Sequence, residues 1–167
     1  ERRVIMNKKI DPIIKEDATI IWKNFSGNPD KFNPQGGKRL FNLVLTEEEA
    51  EVLTEEGWNV KSREPKDGEG DTLYYLPVRV NYSGKKPPKV YMITKKNKEG
   101  TLLDEDTIDL LDSEEIRSCD VEISPYPWKV GGKVGISAYL RTMYAVIEEN
   151  PFAAKYGRYD DDAVPFV

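Results

Sequence analysis

The chain has 167 residues, 38 % apolar and 33 % charged, enough for one domain with appendages, and no apolar run long enough to span a membrane. It has no histidine and one cysteine, Cys119. That removes Ser-His-Asp and Cys-His nucleophile systems, a zinc site and an intramolecular disulfide, and it fits a reducing cytoplasm.

The opening residues 1–17 mix charges with a proline and read as an arm or a leading edge strand. The sequence opens on Glu1 rather than methionine, so residues ahead of it are expected to be missing, and it has no signal-peptide pattern. Ala18–Lys23 is β-branched and aromatic and predicts a strand. Turns follow at Ser26-Gly27-Asn28-Pro29 and Asn33-Pro34-Gln35-Gly36-Gly37, and Lys38–Leu45 predicts the next strand. Thr46-Glu47-Glu48-Glu49 has capping-box spacing, and Gly57 stops the helix that it starts, placing a helix over 47–56. Trp58–Lys61 is a short strand and Glu64–Asp71 a charged, glycine-rich loop. Tyr74–Tyr82 alternates strictly, with Pro77 placing it at an edge or bulge. Ser83–Pro88 is a basic turn and Lys89–Lys95 a strand. Asp104–Leu111 predicts a second acidic helix. Val121–Val130, Gly131-Gly132 and Lys133–Ile147 predict a closing hairpin. No internal repeat is present.

Six or seven strands, two short helices and short connections predict an all-β chain. Its natural closure is an OB-fold-like small antiparallel β-barrel over 1–150, with a disordered acidic C-terminal tail over 151–167. Trp22, Trp58, Phe41, Tyr82 and Tyr144 read as core.

The net charge of −5 conceals a segregation. Residues 47–56 hold six acidic and no basic residues, and residues 104–115 hold seven and none. With Asp160, Asp161 and Asp162 these segments take 16 of the 30 acidic residues, leaving 25 basic against 14 acidic elsewhere. A basic surface of that kind suits a polyanion backbone. Binding single strands without sequence preference needs rings beside cations on one strand face. Three strands offer this: Tyr75 with Arg79, Lys89 with Tyr91 and Lys95, and Tyr139 with Arg141. A one-residue slip in register would invert each of them. Phe25 and Phe32 flank a polar turn that carries Lys31, an unusual place for two large rings unless something covers them. Trp128 adjoins the Gly-Gly hairpin tip, where a ring can stack on a base or fold back onto the barrel mouth.

The last ten residues, Arg158–Val167, run three aspartates into Pro165 and Phe166. Carboxylates suit a basic rim and the ring an apolar pocket on another protein. This end resembles the Asp-Asp-Asp-Ile-Pro-Phe tip of bacterial single-stranded DNA-binding proteins, which recruits replication and repair enzymes. Ala163-Val164 replace one isoleucine, and Val167 follows the phenylalanine that ends the family's tips. The resemblance makes Asp160, Asp161, Asp162, Pro165 and Phe166 partner-binding residues.

Four segments resemble tailed-bacteriophage single-stranded DNA-binding proteins: Trp22–Gly27, Phe32–Phe41, Gly57–Lys61 and Pro125–Lys133. The likeness covers most of residues 18–150. It implies an OB-fold, a role in phage DNA replication or recombination inside the host cytoplasm, and no enzymatic activity, cofactor or metal. It places Lys23, Phe25, Phe32, Arg39 and Trp128 in motif segments as DNA contacts, with Lys31, Lys38 and Lys129 beside them. The expected activity is coating of single-stranded DNA without sequence specificity, with recruitment of a polymerase, helicase or nuclease through the tip. RNA remains open as a ligand, because stacking does not read the sugar. A homodimer through the arm or an edge strand is also open. The alternative is an acidic protein-interaction module, or a DNA-mimic inhibitor of a host protein, suggested by the two acidic segments. Metal-dependent catalysis at Asp104-Glu105-Asp106 is disfavoured, since consecutive residues point in different directions.

Overall fold

The computed structural model describes residues 9–31 and 33–149; residues 1–8, Phe32 and the whole tail lie outside them. The elements are β1 (Ile13–Ala18), β2 (Ile20–Asn24), β3 (Leu40–Leu45), α1 (Glu47–Glu56), β4 (Lys61–Arg63), β5 (Leu73–Arg79), β6 (Lys89–Ile93), β7 (Thr101–Leu103), α2 (Leu110–Ser113), β8 (Ile116–Val130) and β9 (Lys133–Ile147). All nine strands join one sheet, ordered β1-β8-β9-β5-β3-β2 along its main path, with β4 on β5 and β6–β7 on β9. β1 and β2 are nearly one strand, parted at Thr19; the first half pairs with β8 and the second with β3. That shared segment curls the sheet into a partly closed barrel.

Alternation drives the curl. Phe41 and Leu43 of β3 face Val78 and Leu76 of β5, and all four are fully buried. β9 buries Ile136, Ala138 and Leu140 and then changes phase to Met143, Ala145 and Ile147. The phase changes because Leu140 and Thr142 oppose consecutive residues of β8, Ile123 and Glu122, leaving Arg141 as the extra residue of a bulge. The bulge bends β9 while keeping its apolar side inward on both halves. β5 pairs with β9 at Val78 and Arg79 and β6 from Lys89 to Ile93, both in parallel. Pro77 falls at the changeover on β5, between the residues paired with β4 and those paired with β9, where no ladder partner is lost.

α1 forms where the capping box placed it. Thr46 accepts the Glu49 N–H, Glu49 accepts the Thr46 N–H, and Gly57 closes the end at φ 106°. Burial works against the Glu49 charge, but the Lys15 ammonium at 2.7 Å and the Thr46 donors outweigh it and hold the carboxyl below its usual value. Its contribution to stability is therefore present above about pH 4.5 and is lost as pH falls through the lowered folded value. Trp58 is buried behind this helix and donates to Glu56. Cys119 is buried beneath β1, and that burial, reinforced by Asp120, pushes its thiol up to about 12.

Several expectations are corrected. Asp104–Leu111 is mostly a chain of turns, and the second helix is only the four residues Leu110–Ser113. The Asp104 carboxylate accepts the N–H groups of Asp106 and Thr107, a local bond that competes with a helix. The strand placed at Trp58–Lys61 is Lys61–Arg63, and β7 carries no signal that periodicity could have caught in three residues. Trp22 and Tyr144 are 49 % and 40 % exposed rather than core. Tyr82 does pack against the core, half-buried, with its hydroxyl pushed up to about 12 by burial against the opposing pull of Arg39.

Candidate functional site

The outer face of the sheet carries a row that crosses five strands. Asn24 pairs with Leu40, Leu40 with Arg79, Arg79 with Tyr139 and Tyr139 with Ser124. Register partners point the same way, so Arg79 and Tyr139 present side by side at the middle of this face. Two shallow grooves meet at Tyr139. One is lined by Gly37, Lys38, Arg39, Arg79, Val80 and Asn81 together with Tyr139. The other, about 450 Å³, lies between the 81–88 loop and the hairpin, and brings Lys85, Lys86, Arg141 and Tyr126 around the same ring.

The topology explains this convergence. β5 leaves β9 beside Tyr139 and β6 returns to it beside Thr142, so the chain between them must arch over the Arg141 bulge. That arch is the basic turn, and it is how Lys85 and Lys86 reach the groove. Tyr126 meets Tyr139 edge-on with ring centroids 5.6 Å apart. From Tyr126 to Val134 every residue is exposed, so the hairpin projects beyond the barrel as an arm. Trp128 lies on this arm opposite Gly135. A Cβ at residue 135 would sit 2.5 Å from the indole Cζ2, so only glycine leaves room for the ring to lie across the neighbouring strand. Lys129 is exposed next to it.

Among the described residues no carboxylate pairs with Lys38, Arg79, Lys85 or Lys86. Arg141 lies 4.0 Å from Glu122 at a half-exposed position, a weak hold that an incoming anion can replace. Arg39 is more engaged: its guanidinium faces Glu105 at 3.6 Å, donates to the Glu105 carbonyl and sits 5.4 Å from the Tyr82 ring centre.

The other candidates of the sequence lie apart from this convergence. Phe25 is corrected: it has no exposed surface and stacks on Phe41 at 5.7 Å, as core. The Asp112 carboxylate accepts both the Phe25 and Ser26 N–H groups at 2.8 Å, and Asn24 caps the turn that follows, so the ring is drawn inward. The Lys23 ammonium is held by the Glu114 carbonyl. Lys31 is exposed on the following turn. Tyr75 is half-buried against Trp22. Lys89 and Tyr91 lie on β6, past the bulge, with Tyr91 stacked on Tyr144 at 4.7 Å. Phe32 and the partner-binding residues Asp160, Asp161, Asp162, Pro165 and Phe166 lie outside the described residues. Sequence reasoning passed over Tyr126, Lys85 and Lys86, although the basic turn was visible; no spacing rule says which strand face a loop will overhang. The carboxylates of Asp104 and Glu105 are spoken for, by the turn and by Arg39, and among the described residues no cluster of three metal-ligating side chains occurs.

The fold has known counterparts. The model of the family described as "Putative phage ssDNA-binding domain" matches residues 3–165. The chain belongs to this family. Solved structures of a single-stranded DNA-binding protein from bacteriophage Enc34 share the fold at low identity. Its complex with ssDNA aligns with a TM-score of 0.52 at 14 % identity, covering 87 % of this chain and 96 % of that one. Its C-terminally truncated form gives 0.51 at 13 %, covering 87 % and 95 %. A further structure of the protein gives 0.50 at 12 %, covering 94 % and 97 %. No curated protein matches the chain by sequence. Among the described residues no helix is long and apolar enough to cross a membrane.

Proposed function

We propose that the chain coats single-stranded DNA without reading its sequence, holding the strand across the outer face at Tyr139. The observation that carries this reading is the convergence of two grooves on one ring, with Arg79 and Lys38 on one side and Arg141, Lys85 and Lys86 on the other. A base stacked on Tyr139 contributes about 1–3 kcal/mol, and every base has the π-face that this needs. The cations follow the backbone, whose charge is independent of sequence. Trp128 and Tyr126 extend the stacking surface along the arm. The residues in this role bind and orient; none is placed to do chemistry, and the family is one of binding domains.

The test is titration of a labelled oligothymidine, followed by fluorescence anisotropy, beside a duplex of equal length. Tight single-strand binding and weak duplex binding are expected. Neutralising about five phosphates gives a log–log salt slope of about −3.5. No single-strand binding, with capture of a basic protein instead, contradicts the reading.

The acidic end has a second part in this proposal. Asp160, Asp161, Asp162, Pro165 and Phe166 form the tip that a polymerase, helicase or nuclease of the replication or recombination machinery captures. Removing residues 158–167 is expected to leave oligothymidine affinity unchanged or tighter while abolishing partner capture. Weaker DNA binding by the shortened chain contradicts this assignment.

A further inference from the structure

Trp22 stands on the same outer face, on β2 beyond β5 and β3 in the strand order, and the core does not account for it. Its indole is 49 % exposed, and its backbone lies in the left-handed region at φ 49°. Bulky L residues disfavour that region, and such outliers cluster where a side chain has to be aimed. The cause is a bulge: Ile21 pairs with Asn42 and Asn24 with Leu40, three steps along β2 against two along β3. The bulge turns the indole over the sheet onto β5, where it meets the Tyr75 ring edge-on at 5.0 Å. The Arg63 guanidinium lies 5.7 Å from the indole centre.

Charge and continuity identify what would lie there. Tyr75 and Arg79 alternate onto one face of β5, and Lys61 is the register partner of Tyr75. Lys61 and Arg63 are both exposed, and among the described residues no carboxylate pairs with either. Arg79 is the neighbour of Tyr139 in the row described above, so the surface runs unbroken from the groove to Trp22. Tyr75 and Arg79 are four residues apart, about 13 Å along the strand.

Building on the proposed function, we propose that Trp22 and Tyr75, flanked by Arg63 and Lys61, form a second base-stacking platform for the single strand. A strand held at Tyr139 and Arg79 then continues along β5 to the indole of Trp22. Oligomers too short to span both platforms do not engage it.

Two independent readouts test this. In a Trp128→Phe variant, Trp22 is the exposed indole, because Trp58 is only 4 % exposed. Its emission is expected to quench with long oligothymidines and not with the shortest that bind. In Trp22→Ala, affinity for the long oligomers is expected to fall about five- to 150-fold and affinity for the shortest to stay unchanged, with Trp22→Phe restoring much of the loss. The quenching measurement needs no substitution at Trp22, so it decides the matter even if the alanine variant folds poorly. A Trp128→Phe chain that binds long oligomers while its Trp22 emission stays unchanged at saturation overturns the platform alone. A wild-type chain that binds no oligomer overturns the proposed function and the platform with it.

Discussion

Replacing Tyr139 by alanine is expected to weaken oligothymidine binding by about 1–3 kcal/mol, a loss of roughly five- to 150-fold in affinity. The size follows from position. Tyr139 is the one ring shared by both grooves, it lies beside Arg79 through the β5–β9 register, and it holds Tyr126 at 5.6 Å. The ring is half-buried on an outer face, so its removal opens no core cavity and the melting temperature should move little. Tyr139→Phe keeps the π-face and should bind nearly as wild type, which separates stacking from hydrogen bonding by the hydroxyl. Anisotropy titrations of the three proteins decide this, and an alanine variant with unchanged affinity would remove Tyr139 from the site.

Phe25→Ala is expected to have the opposite profile. The side chain has no exposed surface and stacks on Phe41, so truncation leaves a cavity and costs about 3–5 kcal/mol. At about 2–4 °C per kcal/mol for a chain of this size, melting falls by about 6–20 °C. Oligothymidine affinity, measured well below the new melting point, should be close to wild type. A small change in melting with a large loss of affinity would make Phe25 a contact after all.

The contrast between these two residues shows where the sequence was legible. Strand alternation put Tyr139 and Arg79 outward, and the structure agrees, because period-2 patterning is a local property that survives folding. The same holds for α1, whose start and stop are written in Thr46, Glu49 and Gly57. Phe25 could not be placed in this way. Its inward path depends on the Asp112 carboxylate, 87 positions away in sequence, which fixes two N–H groups of the turn. Trp22 has the same kind of cause: an apolar, β-branched neighbourhood reads as core, and only the bulge against β3 turns the indole outward. Bulges insert a residue without a strong compositional mark, and the Arg141 bulge likewise decides which loop overhangs the groove. The barrel was therefore readable from alternation and turns. The parallel pairings of β5 and β6 with β9, which assemble the site, depend on contacts about 50 to 60 positions apart.

The central claim concerns a place: the single strand lies on the outer face of β9 and β5 and along the hairpin arm. Ultraviolet cross-linking to an oligothymidine carrying halogenated uracils, with the joined peptides mapped, reads that place directly. Cross-links at Tyr139, Tyr126 and Trp128 are the predicted result. Cross-links confined to α1 or to the 104–113 turns, with none on β9, would contradict it.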